Sequence, residues 1–335
     1  MNLNTILDAH CHPTDTPGDL HIIPELSLGK IIIMGTRPMD QGYVSEIAEK
    51  YPEKVIPSFG IHPWFSYLIY DPNELTQSDE STIKAEHYKK ILSPEPPGDF
   101  IRELPQPISI TTLSEIISQL VVKHPSALIG EIGLDKPFRL PVGPYDARSS
   151  LPQGPLSPHY VRMEHQIKVF EFQLRLASKY QRTVSVHSVQ TYTYIYDVLS
   201  KLWDGHWIPS KSQLRKYKPG EFESIREGRK QNYPPRICFH SYSGSGQQIS
   251  LFSAHKVPSE FYYSFSTGIN SRYKKMDETI RSAPDDKILP ESDHHSASTL
   301  DKLVVESVSA IAKAKSWSEE DTMSILSKNC SSFLM

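Results

Sequence analysis

The amino-acid sequence predicts an α/β protein whose 335 residues fold as a single TIM-like (β/α)8 barrel domain. Eight apolar runs of strand length recur along the chain, and most are followed by a segment with helical periodicity. Continuous apolar runs suit parallel strands buried on both faces, and alternation with helices indicates βα units. Metal-capable side chains follow runs one, four, five, six and eight. An open doubly wound sheet has similar elements, but these positions converge only at one end of a closed barrel.

The predicted strands are short runs rich in Ile, Leu, Val and Phe. They cover residues 5–7, 30–34, 55–59, 127–132, 183–186, 236–239, 261–265 and 287–289.

Three predicted helices have a clear apolar stripe at a spacing of three and four residues. The stripes are Leu113, Ile116, Ile117, Leu120 and Val121; Met163, Ile167, Phe170, Leu174 and Ala177; and Leu300, Val304, Val308 and Ile311. A last helix is predicted after Ser318, because this N-cap residue is followed by acidic residues that suit the positive end of a helix.

Three stretches, near 65–110, 136–158 and 204–234, exceed what a minimal barrel needs and are predicted to be insertions on the active-site face. The third is basic and aromatic, with Lys211, Arg215, Lys216, Lys218, Arg226, Arg229 and Lys230 beside Trp203, Trp207 and Tyr217. Such a segment can track a single nucleic-acid strand by phosphate contacts and base stacking. An ordinary solvated loop and a surface for a protein partner are the alternatives.

Composition excludes several classes of protein. The formal net charge of −3 gives no global basic field for tight, sequence-independent binding to duplex nucleic acid. Three widely spaced cysteines fit a reducing compartment better than a disulfide framework. No apolar run approaches the roughly 20 residues that span a bilayer. We therefore expect a protein of the cytoplasm or nucleus that has no membrane partner.

The metal-capable residues form a set that suits two divalent cations. His10 and His12 are two positions apart, so on an extended strand both imidazoles face one point. Glu131 ends an apolar run, and its two oxygens can bridge cations roughly 3.5 to 4 Å apart. His187 and His240 each end a strand, and Asp293 follows the last one. Taken singly, the His10 and His12 pair is equally explained as buried histidines satisfied by polar neighbours, and the same explanation is the alternative for Glu131, His187 and His240.

Together these six residues predict a binuclear centre for a metal-dependent hydrolase. Two cations lower the pKa of a bound water toward about 7 and clamp the attacking and leaving oxygens, which suits a phosphodiester substrate. Asp293 is predicted to act as a ligand, as the base that takes a proton from the water, or as both.

The motifs of the chain resemble the TatD-like metal-dependent deoxyribonucleases of the amidohydrolase superfamily. The resemblance rests, in order, on Asp8-Ala9-His10-Cys11-His12, Gly60-Ile61-His62-Pro63, Gly130-Glu131-Ile132-Gly133-Leu134-Asp135, His187-Ser188, His240-Ser241-Tyr242-Ser243-Gly244, Glu291-Ser292-Asp293, Asn329 and Phe333. It covers nearly the whole chain, and the ordered set is specific although no single motif is.

This resemblance implies a role for each residue of the set. His10, His12, Glu131 and Asp293 would hold one metal, and Glu131, His187 and His240 the other. His62 would contact the scissile phosphate. The implied activity is hydrolysis of DNA, often exonucleolytic from the 3′ end, with Mg²⁺ as the usual activator and Zn²⁺ or Mn²⁺ as other candidates.

The sequence also departs from the family pattern around the predicted metal ligands. The departures are Val189 and Ser332 in place of arginines, Trp64 in place of a histidine, Ser241 in place of a cysteine, and His294 and His295 in place of Ser-Pro. All six predicted ligands are present. Two other functions stay open: a small-molecule amidohydrolase, which a carboxylated lysine bridge would favour over Glu131, and a protein-interaction role with weak or no catalysis.

Overall fold

Eight parallel strands form one sheet, and their order in the sheet is their order along the chain. The computed structural model describes residues 1–76, 79–143 and 154–335, with only the backbone of Ser81 and Glu227. The strands are β1 (Leu7–Cys11), β2 (Lys30–Met34), β3 (Val55–Phe59), β4 (Leu128–Asp135), β5 (Val184–Val189), β6 (Arg236–Phe239), β7 (Glu260–Phe265) and β8 (Ile288–Pro290). Each strand pairs in parallel with the next. A doubly wound sheet would reverse its strand order part-way.

Hydrogen bonds bring the first and last strands together. The N–H of Asp293, just beyond β8, donates to the His10 carbonyl at 2.9 Å, and His12 N–H donates to the His294 carbonyl at 2.8 Å. Ser292 donates to the buried Asp8 carboxylate from its N–H at 2.9 Å and from its hydroxyl at 2.6 Å. The predicted (β/α)8 barrel is thereby confirmed, and the open sheet is excluded.

The predicted helices are present and surround the sheet. The α-helices of the described residues are α1 (Gln41–Lys50), α2 (Glu80–Ile91), α3 (Gly98–Glu103), α4 (Ile110–Lys123), α5 (Met163–Tyr180), α6 (Tyr192–Leu202), α7 (Lys211–Leu214), α8 (Glu221–Glu227), α9 (Gly246–Phe252), α10 (Thr267–Asn270), α11 (Met276–Ser282), α12 (Leu300–Lys315) and α13 (Glu319–Leu334). Short 3-10 helices cover Pro13–Asp15, Pro17–Glu25, Pro63–Leu68, Pro72–Glu74, Asp285–Lys287 and Ala297–Thr299. The three apolar stripes lie on α4, α5 and α12, and Ser318 caps α13 by accepting from Asp321 N–H at 3.0 Å.

The buried face of α5 differs from the predicted stripe. Met163 and Ile167 are only half-buried, whereas Gln166 and Gln173 are buried. Gln173 bonds both backbone groups of Ile61, and Gln166 bonds both backbone groups of Asp135. A polar side chain can be buried when its hydrogen bonds are satisfied. The two glutamines therefore fix the chain where it leaves β3 and β4.

Three strands extend further than the apolar runs that predicted them. β1 covers Leu7–Cys11 rather than 5–7, β4 continues to Asp135 and β5 continues to Val189. The added residues include His10, Asp135 and His187, which are polar. Hydrophobic patterning ends where polar residues begin, although the strand itself continues.

The three insertions were predicted after β3, β4 and β5, and the connections that follow these strands are long. The first two connections form two small sheets. Ile69–Tyr70 pairs with Ile108–Ser109 within the first connection, and Leu92–Ser93 of the first pairs with Tyr160–Val161 of the second. Residues 144–153 of the predicted 136–158 insertion lie outside the described residues. The third connection contains α7 and α8. Within residues 1–76, 79–143 and 154–335, no helix has the length and apolar character needed to cross a bilayer.

Candidate metal centre

Four histidines from three strand ends meet around one glutamate of a fourth strand. Glu131 lies within β4 and is 2% exposed. The imidazoles around it are His10 in β1, His12 just after β1, His187 in β5 and His240 just after β6. The carboxyl ends of parallel strands in a closed barrel meet at one rim, which explains why residues so distant in sequence converge.

One carboxylate oxygen of Glu131 faces the first pair of histidines. Glu131 Oε2 lies 3.2 Å from His10 Nε2 and 3.3 Å from His12 Nε2. The two Nε2 atoms are 3.1 Å apart. The other ring nitrogen of His10 is 2.9 Å from Ser185 Oγ, which orients the ring. His10, His12 and Glu131 thus form a group that can hold a divalent cation.

The other oxygen of Glu131 faces the second pair. Glu131 Oε1 lies 3.0 Å from His187 Nδ1 and 2.8 Å from His240 Nε2. His187 Nε2 is 3.0 Å from the Asp135 carboxylate, which can only accept, so Nε2 carries the hydrogen. A neutral His187 then presents the lone pair of Nδ1 to Glu131 and to His240, whose Nε2 is 3.2 Å away. Facing lone pairs repel one another unless a cation lies among them, so this donor set fits a metal ion.

The pKa values of His12 and His187 also indicate that the carboxylates of this centre stabilise positive charge beside them. Burial alone lowers the pKa of His12 and His187, but contact with Glu131, and with Asp135 for His187, outweighs it and raises their pKa values to about 9 and about 10. Burial and the charge of His240 lower the pKa of His10 to about 3. Protons and metal ions compete for the same lone pairs, and a metal needs the neutral imidazole. A metal ion that bound at this centre would therefore displace protons.

Asp293 lies at the edge of the first group. Its Oδ1 is 3.7 Å from His12 Nε2, and its Oδ2 is 3.8 Å from His240 Nδ1 and accepts from the Ser241 hydroxyl at 2.8 Å. The backbone of Asp293 is left-handed, with φ +50°, a strained conformation found at functional sites. Although burial raises the pKa of Asp293, the neighbouring histidines outweigh burial and lower the pKa. Asp293 is thus an ionised carboxylate beside the histidines.

His62 also contacts Glu131, but through a donor. Its Nδ1 accepts from Trp64 N–H at 3.1 Å, so the neutral ring carries its hydrogen on Nε2. That Nε2 lies 3.1 Å from Glu131 Oε1. Burial lowers the pKa of His62 to about 4, which keeps the ring neutral. In this tautomer His62 offers an N–H toward the centre and no lone pair for a metal.

Asp135 is a candidate site residue to which the sequence analysis assigned no role. Its Oδ2 holds His187 Nε2 at 3.0 Å and accepts from the Trp64 indole N–H at 2.7 Å, while its Oδ1 accepts from Phe138 N–H at 3.1 Å. Trp64 therefore stands where the resemblance expects a histidine and still provides a donor. A carboxylate that orients a ligating imidazole fixes its tautomer and raises its affinity for metal. Asp135 follows Glu131 at an even spacing on the same strand, a signal that could have identified it.

We expect Asp135→Asn to weaken metal binding by about 10- to 100-fold, because an amide lacks the charge that holds the His187 N–H and cannot accept from His187, Trp64 and Phe138 together without turning its NH₂ group toward one of these donors. Isothermal titration of the metal-free protein with Mn²⁺ or Zn²⁺ measures this. Asp197→Asn is the control, since Asp197 is exposed on α6. Equal affinities of the two variants would contradict an orienting role for Asp135.

Among the other departures from the family pattern, Val189 and His294 are next to residues of this centre. Val189 is the last residue of β5 and pairs with Asp135, so it places an apolar side chain at the rim. The His294 ring bonds the Thr299 hydroxyl at 2.9 Å and stacks on His295 with ring centroids 4.3 Å apart. In the described part of the chain, neither histidine belongs to a group that can hold a metal. Ser332 lies in α13.

A (β/α)8 barrel with histidines and carboxylates gathered at the carboxyl ends of its strands has the arrangement expected of a metal-dependent hydrolase. The family described as TatD related DNase matches residues 7–335, and the chain belongs to this family. The fold and the family therefore agree with the resemblance of the motifs.

Relatives of known name are similar over nearly the full length. The Cut9-interacting protein scn1 of Schizosaccharomyces pombe is 60% identical over 332 residues, covering 99% of each chain. An uncharacterized deoxyribonuclease of Saccharomyces cerevisiae is 27% identical over 305 residues, covering 87% of this chain and 84% of its own.

Solved structures support the fold. The TatD homologue YjjV of Escherichia coli superposes with a TM-score of 0.54 at 16% identity, covering 99% of this chain and 98% of its own. An uncharacterized amidohydrolase from Saccharomyces cerevisiae gives a TM-score of 0.59 at 13% identity, covering 98% and 99%.

Proposed function

We propose that the protein is a deoxyribonuclease of the cytoplasm or nucleus that hydrolyses phosphodiester bonds with two divalent metal ions, and that it degrades strands from the 3′ end. The observation that carries this proposal is the position of Glu131, whose two oxygens each face a separate pair of histidines. One carboxylate shared between two histidine pairs suits two neighbouring cations. Mg²⁺ is the proposed native ion, and Mn²⁺ and Zn²⁺ suit the imidazole-rich set as well.

The residues have separate proposed roles. His10, His12 and Asp293 with Glu131 hold one metal, and His187 and His240 with Glu131 hold the other. Two divalent cations held in this way supply an activated water and neutralise charge on the phosphate oxygens. Asp293 takes the proton from the attacking water, and Ser241, which donates to Asp293 Oδ2 at 2.8 Å, keeps its carboxylate oriented. His62 donates from Nε2 to a phosphate oxygen.

The alternatives receive different support. A small-molecule amidohydrolase with a carboxylated lysine bridge is disfavoured, because Glu131 occupies the shared position. A partner-binding role is favoured by the 60% identity to a protein named for its interaction with Cut9. We propose that a protein partner binds the long connections after β3 and β5, alongside catalysis.

The test is cleavage of end-labelled single-stranded and nicked DNA with Mg²⁺, Mn²⁺ or a chelator. The protein should cut in either metal and not in chelator, releasing a 3′ label first. His187→Ala should lose most of this activity, and His255→Ala, at an exposed histidine, should keep it. If all samples cut equally slowly, the deoxyribonuclease proposal is wrong. Metal binding without any DNA cleavage would leave partner binding as the better-supported role.

A further inference from the structure

A pocket between the connections that follow β6 and β7 lies beside the metal centre. Its volume is about 270 Å³. One wall is the 242–246 loop, Tyr-Ser-Gly-Ser-Gly, and the opposite wall includes Tyr273, Lys274 and Lys275. The lining therefore combines hydroxyls, glycine backbone, an aromatic ring, the two lysines and one carboxylate, that of Glu278.

The pocket is continuous in sequence and space with the candidate metal ligands. Ser241 follows His240 and donates to Asp293, and Ser243 already lines the pocket. The three residues from His240 to Ser243 span at most about 11 Å. This distance corresponds to about three nucleotides of a stacked DNA strand, at about 3.4 Å per nucleotide. Ser243 therefore lies within about 11 Å of His240, so a strand bound at the metal centre is long enough to reach this pocket.

Hydrogen bonds fix the walls of the pocket. Asn270 is 1% exposed; its amide donates to the Tyr242 carbonyl at 3.0 Å and accepts from Ser266 N–H at 2.8 Å. The Tyr242 hydroxyl donates to the Ser245 carbonyl at 2.9 Å. The bond from Asn270 to Tyr242 joins the two connections, and the other two each hold one connection in shape. A preformed pocket loses little conformational entropy when it binds a ligand.

The charge of the pocket is locally positive although the chain carries −3 overall. Arg272, Lys274 and Lys275 are exposed, and Tyr273 is 43% exposed between them. The ionic contact of Lys275 is long, with Nζ 4.0 Å from Glu278 Oε2. Cations next to an exposed aromatic ring suit a backbone phosphate and its stacked base. They also provide positive charge on the active-site face, where Val189 stands in place of the arginine of the family pattern.

We propose that this pocket binds a phosphate of the DNA strand within about three nucleotides of the one that is cut, with Lys274 and Lys275 on the phosphate and Tyr273 against the base. The proposal rests on the proposed function, because it takes DNA to be the substrate. Tyr273, Lys274 and Lys275 are not candidate metal ligands, so the proposal assigns substrate contacts to residues outside the metal centre.

The test compares the wild-type protein with the double variant Lys274→Ala/Lys275→Ala and with Tyr273→Ala. The control is Lys313→Ala/Lys328→Ala, which removes the same charge from exposed positions on α12 and α13. Binding of a fluorescent single-stranded oligothymidylate is measured by anisotropy in chelator, where the strand stays intact. Cleavage kinetics in Mn²⁺ are measured in parallel.

We expect the double variant to bind roughly tenfold more weakly, with a salt dependence of log K smaller by about 1.4 for two lost contacts to a single strand. KM should rise by a similar factor while kcat stays within about twofold, and Tyr273→Ala should bind more weakly without a change in the salt dependence. Wild-type affinity and salt dependence in the double variant would overturn the subsite, as would a wild-type protein that does not bind the strand. Binding that depends on Lys274 and Lys275 without cleavage in any metal would instead overturn the deoxyribonuclease proposal and leave the subsite standing.

Discussion

Replacing Glu131 with glutamine is expected to weaken metal binding at both positions of the centre by at least about 100-fold. Glu131 Oε2 faces His10 and His12, and Oε1 faces His187 and His240. Glutamine has a similar shape but no charge, and only one of its two terminal atoms can accept. Removing one partner from a buried charged group costs roughly 3–5 kcal/mol, and about 1.4 kcal/mol corresponds to a tenfold change in affinity.

Isothermal titration with Mn²⁺ or Zn²⁺ measures the affinity, and metal content after dialysis measures the stoichiometry. The matched control is Glu115→Gln, because Glu115 is exposed on α4 and the substitution removes the same charge. A Glu131→Gln protein that still binds two ions with wild-type affinity would show that the carboxylate is not shared between them. Loss of metal at both positions together is the result that distinguishes a bridge from a ligand of one site.

The second large effect is expected at Gly133, where alanine should lower the free energy of unfolding by more than about 3 kcal/mol, combining overpacking with backbone strain. Gly133 has φ +149°, and a Cβ at this position would overlap the carbonyl oxygen of His187 on the neighbouring strand. β4 and β5 pair at this point, so the overlap forces apart the strands that carry Glu131 and His187. Metal affinity should fall together with stability.

Urea unfolding of the metal-free proteins measures this difference without any contribution from bound ions. Gly42→Ala is the control, because Gly42 lies in α1, has an ordinary φ and leaves open space where the alanine methyl group would lie. That substitution should stabilise the protein by about 0.5–1 kcal/mol through a lower backbone entropy of the unfolded chain. A Gly133→Ala protein as stable as the wild type would mean that the two strands can separate at low cost.

The positions and the order of the strands could be predicted from the sequence, because strands that are buried on both faces form continuous apolar runs. Lys30–Met34, Val55–Phe59 and Arg236–Phe239 begin and end where the apolar runs do. The ends of β1, β4 and β5 could not be read in this way. The residues that extend these strands include the polar His10, Asp135 and His187, and other site residues rather than the hydrophobic core satisfy them.

The pairing of residues around the centre depended on the tertiary structure. Ser185 beside His10, and Asp135 held by Trp64 and Phe138, are contacts between different strands and connections. The burial of Gln166 and Gln173 on α5 likewise depends on backbone groups near Ile61 and Asp135 that need a hydrogen-bond partner. A pattern along one chain contains no information on which polar group a distant segment will offer.

The sequence by itself determined the barrel, the candidate ligands and the family, because hydrophobic periodicity and ordered motifs are local properties of the chain. Only the tertiary structure decided which oxygen of Glu131 faces which histidines, which nitrogen of His62 and His187 carries the hydrogen, and where a pocket with two lysines adjoins the centre. These properties are set by distances of a few ångströms between residues far apart in sequence, which exist only once the strands have closed around the barrel axis.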